Sequence, residues 1–157
     1  LTFTTQDSAL MTTLYETNID DMDPRLWPHV LDTLLAAGAL DAWLTPIVMK
    51  KGRPAFQLSA LCEPESAERV RTVFFHETTT IGIREVQVQR HVLDRSQSTV
   101  NVGGHAIGVK TAFLNNEPVN RSVEWDDVAS AASALGLSAK QVLAAATAAA
   151  IAAENSS

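Results

Sequence analysis

Apolar and polar residues alternate along this chain in two rhythms, and the switches between them mark out its elements. Tyr15, Thr17 and Ile19 are interleaved with Glu16, Asn18 and Asp20, the period of two that belongs to a half-buried strand. If Ile19 points into the core, Asp20 points away from it. The period then lengthens. Asp23 before Pro24 is an Asx cap ahead of a first-turn proline, Trp27, Val30, Leu31, Leu34 and Leu35 recur at helical spacing, and Gly38 stops the helix. ALDAWLTPIVM and AFQLSALC are two strand-like runs joined by KKGRP, which predicts a hairpin with a basic turn. Pro64 opens a second helix with Ala67, Val70, Val73 and Phe74 on one stripe. The threonines at 78 to 80 end it, because β-branched side chains lose rotamer freedom in a helix. Val86, Val88 and Val92, alternating with Gln87, Gln89 and His91, predict a fourth strand.

The resulting order, βαββαβ, is of the α+β class. With short connections and right-handed crossovers it gives a ferredoxin-like sandwich, both helices lying on one face of an antiparallel sheet. The other face then needs a cover. STVNVGG turning into HAIGVKTAFL predicts an extra β-hairpin, followed by two alanine-rich C-terminal helices over residues 123–135 and 138–153. Gly136 ends the first, and Ser138 with Gln141 forms a capping box for the second. AAATAAAIAA reads as packing helix, alanine being the best helix former. Residues 1–13 have no period and read as a loose lead-in or linker, residues 14–95 as the ferredoxin-like core, and residues 96–157 as an extension of the same domain.

Composition narrows the functions open to such a fold. The 157 residues, 46% of them apolar, suffice for an ordinary core. A formal charge of −6 and a pI near 5.1 argue against general affinity for nucleic acid or anionic membranes, so a phosphate-bearing ligand must find a local cationic site. The single Cys62 excludes an internal disulfide and a multi-cysteine zinc site and fits a reducing compartment, so a cytoplasmic location is expected. No apolar run reaches the roughly 18 residues of a membrane span, and no basic-then-apolar leader opens the chain. Leu1 in place of a methionine leads us to expect a fragment of something longer. The four histidines show no HxH, HExxH or HxxxH spacing, and nucleophile-elbow, P-loop and GxGxxG motifs are missing, which weakens hydrolase, NTPase and dinucleotide readings.

Three clusters carry candidate chemistry. ETNIDDMDP ends in Asp20, Asp21 and Asp23, three carboxylates within four residues. Asp23 fits a helix cap; Asp20 and Asp21 are either solvated loop charges or, grouped with Asn18, hard oxygen ligands for Mg²⁺ or Mn²⁺. Lys50, Lys51 and Arg53 put a quarter of the chain's 12 cations into one turn. That turn is either solvated or a cradle for a phosphate chain. In HETTTIGIR the hydroxyls of Thr78, Thr79 and Thr80, with Glu77 and Arg84, either finish a helix through side-chain turns or bind ribose or phosphate oxygens. Glu124, Asp126 and Asp127 precede an alanine-rich helix and suit its dipole. Lys110, on the strand face opposite Ile107, Val109 and Phe113, has no apolar explanation.

ETNIDDM, GALDxxLTPIxMKKGRP and ETTTIGIR at these separations resemble the C-terminal domain of the nickel insertion protein of nickel-pincer cofactor biosynthesis, the LarC family, from Leu14 to about Ala150. The resemblance implies a lyase-class cyclometallase that uses CTP with Mn²⁺ or Mg²⁺. It inserts Ni²⁺, as substrate metal, into a pyridinium bis-thiocarboxylate mononucleotide through a cytidylylated intermediate, making the cofactor of lactate racemase. The C-terminal domain is the part that handles CTP, so this chain is expected to bind nucleotide, with the remaining N-terminal part of the same protein as partner. By the same resemblance Asp20, Asp21 and Glu77 are the metal-side carboxylates and Lys50, Lys51 and Arg53 the phosphate cradle. Thr78, Thr79, Thr80 and Arg84 form its second wall, and Lys110 is the late-strand lysine. The chain departs from the family pattern at VEWDD, residues 123–127, where a PEYED-like stretch is usual, and at His76, where arginine is common.

The rival expectation is a non-catalytic regulatory or oligomerisation module that binds a small effector. In either case the uncovered sheet face predicts a homo-oligomer.

Overall fold

The computed structural model describes residues 10–154, which divide into two compact units, residues 10–91 and 92–154. The first comprises β1 (Leu10–Ile19), a 3-10 turn (Pro24–Leu26) leading into α1 (Trp27–Ala36), β2 (Ala39–Met49), β3 (Arg53–Cys62), α2 (Ala67–Glu77) and β4 (Arg84–Arg90). Its sheet runs β2-β3-β1-β4, every neighbouring pair antiparallel, which is the ferredoxin-like order that βαββαβ predicts. β1 begins at Leu10, inside the stretch read as lead-in; residues 1–9 of that stretch lie outside the described residues. β4 stops at Arg90, short of Val92, and its Val86 pairs with Leu14 on the helix-free face.

One core sits between sheet and helices. Tyr15 and Ile19 of β1, Leu58, Ala60 and Cys62 of β3, Val30 and Leu34 of α1, and Val70 and Phe74 of α2 are all buried, with the Tyr15 and Phe74 rings edge-to-face at 6.1 Å. Leu35, expected on the α1 stripe, is instead exposed. Burial, with the charge of Glu85, pushes the Cys62 thiol up, so it packs as a small hydrophobe.

The second unit is a three-stranded antiparallel sheet, β5 (Asp94–Val102), β6 (His105–Leu114) and β7 (Glu117–Val123), followed by α3 (Trp125–Leu135) and α4 (Ala139–Glu154). β7 has no counterpart among the elements that the sequence pattern predicts. Asn115 and Asn116, at φ 54 and 67, form the two-residue turn into it, a conformation that asparagine tolerates better than most residues. Ile107, Val128, Ala131, Ala132, Val142 and Ala146 give this unit a core of its own. The capping box is made: Ser138 Oγ accepts from the Gln141 N–H at 3.2 Å and Gln141 Oε1 from the Ser138 N–H at 3.1 Å. Gly136 ends α3 in the left-handed conformation, at φ 65. No helix among the described residues is long and apolar enough to cross a membrane.

Asp23 is the cap the sequence predicts. Its Oδ1 accepts the Arg25 N–H at 2.9 Å, and the Arg25 guanidinium, more than that backbone bond, holds the carboxyl below the usual range. Asp23→Ala should therefore lower the melting temperature by a few degrees and Asp23→Asn hardly at all, since asparagine caps about as well. A carboxyl lowered in the folded state stabilises above its unfolded value and loses that contribution as pH falls through the folded one. The gap between parent and Asp23→Ala should accordingly be steady near neutrality and narrow in acid, which scanning calorimetry across pH checks. In the core, Leu58→Ala should cost about 3 to 5 kcal/mol, read by urea unfolding with amide exchange followed in β1, β3 and α2.

Candidate functional site

β1 supplies this site because its two faces do different things. Tyr15, Thr17 and Ile19 point towards the helices, so Glu16 and Asn18 point to the helix-free face and Asp20 continues that row just past the strand. Ile19 pairs with Phe56, so the first residues of β3 run alongside the chain that follows β1. Arg53 Nη1 there donates to Asp20 Oδ2 at 3.2 Å, joining the basic turn to the acidic segment. The Asp20 side chain is 19% exposed and Arg53's 57%. In the turn itself Lys51 adopts φ 64, a left-handed position, and Lys50 and Lys51 are both exposed.

The stretch after α2 closes on the same segment. Thr79 Oγ1 donates to Asp21 Oδ1 at 2.6 Å. The hydroxyls of Thr17 and Thr80 lie 2.6 Å apart, and they donate to the Gly82 carbonyl at 2.9 and 2.8 Å. Arg84 Nη2 donates to Asn18 Oδ1 at 2.9 Å, with its Nε 3.9 Å from Glu16 Oε2. Asp20, Asp21, Arg53, Thr79, Thr80 and Arg84 are thus tied to one another or to β1.

Three expected residues have other partners. Thr78 Oγ1 donates to the Phe74 carbonyl at 2.6 Å and so finishes α2. Glu77 Oε2 lies 3.0 Å from His29 Nε2. Lys110 belongs to the second unit, where its ammonium pairs with Glu124 Oε1 at 2.5 Å. That pairing was not legible in sequence, because Glu124 reads equally well as a helix-terminal acid. Gly108 makes it possible. Its carbonyl accepts the Glu124 N–H at 2.8 Å, its N–H donates to Asp127 Oδ2 at 2.8 Å, and a Cβ there would sit 2.9 Å from Glu124 Cγ.

Among the described residues no three His, Cys, Asp or Glu side chains group as a metal cage, and Glu77 does not join Asp20 and Asp21. Two carboxylates beside an arginine and a hydroxyl suit a Mg²⁺ or Mn²⁺ that arrives with phosphate oxygens and keeps several waters. Each unit has a cavity beside candidate residues of its own. One of about 390 Å³ surrounds Lys110 and Glu124. The other, about 280 Å³, opens beside Asp20 between Trp27, Phe56 and the β2–β3 hairpin.

The family model described as nickel insertion protein matches residues 3–143. A pyridinium-3,5-bisthiocarboxylic acid mononucleotide nickel insertion protein of a Nocardioides species is 51% identical over 86% of this chain. A putative nickel insertion protein of Myxococcus xanthus is 43% identical over 85%. The chain spans about a third of the length of these curated relatives, 34% in both cases. The apo C-terminal domain of a cyclometallase involved in synthesis of the NPN cofactor of lactate racemase superposes with a TM-score of 0.84 at 32% identity, covering 91% of this chain and 99% of that one. A Methanopyrus kandleri protein, at TM-score 0.57 and 23% identity, shares the fold. With nine-tenths of its length inside that family model and a solved C-terminal domain matched end to end, this chain belongs to the nickel insertion protein family.

Proposed function

We propose that this chain is the CTP-binding part of a nickel insertion cyclometallase, acting with the N-terminal part of the same protein on a pyridinium bis-thiocarboxylate mononucleotide. The observation that carries the reading is the Arg53–Asp20 contact, which brings the cationic turn against the acidic segment in an otherwise acidic chain. Lys50, Lys51 and Arg53 would hold the phosphate chain, Arg53 by a planar fork and the lysines as point charges. Asp20 and Asp21 would face the divalent ion that neutralises those phosphates, and Thr79 keeps Asp21 oriented. Thr80 and Arg84 would line the opposite wall. Arg84 is already steered by Asn18, so a ligand meets it ordered. Nucleotidyl transfer is mostly positioning and charge neutralisation, which such a set supplies without a protein nucleophile. Nickel, the substrate metal, would be held chiefly by the soft sulfurs of the mononucleotide.

The helix-free face of the sheet, where Leu14 is half-buried and Trp43 and Val86 are exposed, supports self-association. Light scattering at micromolar concentrations should report more than a monomer.

Titration calorimetry with CTP, ATP, GTP and UTP, each with and without Mn²⁺, tests the nucleotide assignment. CTP should bind in preference and only with the metal ion. Lys51→Ala and Arg53→Ala should each weaken CTP by about 1.5 to 3 kcal/mol, the scale of a charge-assisted contact, while melting near the parent temperature. Asp21→Asn keeps an acceptor for Thr79 and relieves repulsion from Asp20. It should melt no lower than the parent and yet lose Mn²⁺-dependent binding. Undiminished CTP binding by that variant would return the carboxylates to solvated loop charges.

A further inference from the structure

Thr17 stands at a position that the alternation of β1 assigns to the core. It lies between Tyr15 and Ile19 on the face turned to the helices, and only 4% of it is exposed. Valine would fill the same space with no polar atom to bury, and a buried hydroxyl costs stability unless it is hydrogen-bonded. Here it is bonded, and both partners belong to the stretch after α2. Thr17 Oγ1 donates to the Gly82 carbonyl at 2.9 Å and lies 2.6 Å from Thr80 Oγ1.

The middle of that stretch has no apolar anchor. The β1–β4 ladder ends at the pair Glu16–Arg84, so residues 79–82 run beyond it. Ile83 packs on the core at one end, and Thr78 bonds to the last turn of α2 at the other. Between them Ile81 is 99% exposed. Yet Thr79 Oγ1 donates to Asp21 Oδ1 at 2.6 Å, and Arg84 Nη2 to Asn18 Oδ1 at 2.9 Å, both at the surface. Each contact needs the stretch at a fixed height along β1, and Thr17 sets that height from the buried side.

We infer that Thr17 is a positioning residue for the nucleotide and metal site: its buried hydroxyl seats the stretch from Thr79 to Arg84, holding Thr79 against Asp21 and Arg84 against Asn18 before any ligand arrives. The inference rests on the nucleotide reading above and adds a residue that itself touches neither nucleotide nor metal ion. Groups already held in place lose little freedom on binding, so removing what holds them weakens binding without removing a ligand contact.

Thr17→Val, Thr17→Ser and Thr17→Ala test it. Valine keeps the shape and removes the hydroxyl, and the Gly82 carbonyl retains Thr80 as a donor, so no buried group is left unpaired. Serine keeps the hydroxyl and loses the methyl. Titration calorimetry with CTP and Mn²⁺ is combined with melting curves and amide exchange over residues 79–83. Thr17→Val should melt no lower than Thr17→Ser, bind CTP about tenfold more weakly than the parent, and exchange faster over residues 79–83 alone. Thr17→Ser should bind CTP within about twofold of the parent. A residue that only packs gives the opposite order, since serine leaves a cavity and valine does not. Should Thr17→Val fail to fold, Thr17→Ala against Thr17→Ser decides, because those two differ by the hydroxyl alone and alanine should bind about tenfold more weakly. Parental CTP binding by folded Thr17→Val overturns the inference and leaves the nucleotide reading intact, as do equal losses in the valine and serine variants. A parent that binds no CTP with Mn²⁺ removes the nucleotide reading and this inference with it.

Discussion

The first unit depends on the side-chain alternation of β1, a strand hydrogen-bonded on both sides and therefore fixed in register by two neighbours. Its odd-numbered residues from Tyr15 to Ile19 build the core with α1 and α2, and its even-numbered ones carry polar groups out to Asp20. A slip of one residue would send Glu16 and Asn18 into the helices and Tyr15 into solvent, exchanging every role at once. Burial of the Tyr15 ring against Phe74 is thus what keeps Asp20 where Arg53 can reach it. Core and candidate site are two faces of one strand.

The contacts around the acidic segment contribute little to stability. The Arg53 side chain is more than half exposed, and exposed pairs of this kind contribute about 0 to 1 kcal/mol once screening and side-chain entropy are counted. Asp20 and Asp21, adjacent carboxylates, are meanwhile brought together at some electrostatic cost. A fold selected for stability alone gains nothing from this arrangement, whereas one that receives phosphates and a divalent ion needs both signs of charge within reach of each other. The second unit shows a comparable pair in Lys110 and Glu124, each about two-fifths exposed and enabled by the missing side chain at Gly108.

Features written in local periodicity were legible in the sequence. The six elements of the first unit, the basic turn, the Asp23 cap, the Ser138–Gln141 box and the Gly136 stop each depend on residues within a few positions of one another. β7 escaped because EPVNRSV carries little apolar alternation and Pro118 argues against a strand; its signal was the Asn-Asn turn before it. Two features of the first unit turn on packing geometry that spacing alone does not fix. Leu35 falls outside the buried face of α1, and β4, as an edge strand, turns Val86 away from the core. In the candidate site the motifs single out loops, but which side chains within them meet is a matter of tertiary geometry. Thr79 reaches Asp21 while Thr78, one residue earlier, is consumed by the helix end. Glu77 and Lys110, given their site roles by family resemblance, find partners that only folding reveals.

On the proposed nucleotide reading, the same contacts would favour nucleotide and divalent ion binding together and not in turn. In the free protein Arg53 and Asp20 neutralise one another. A phosphate chain approaching alone must compete with Asp20 for the guanidinium and is then repelled by the adjacent Asp21. A cation approaching alone must draw Asp20 away from Arg53 and leave the arginine beside a new positive charge. When the two arrive together the exchange is symmetrical: Arg53 trades a carboxylate for a phosphate, Asp20 trades a guanidinium for a metal ion, and local charge is conserved. Each ligand would then raise the affinity for the other by the same factor, as linkage requires. On that reading the coupling would lie in one ion pair that opens on both sides.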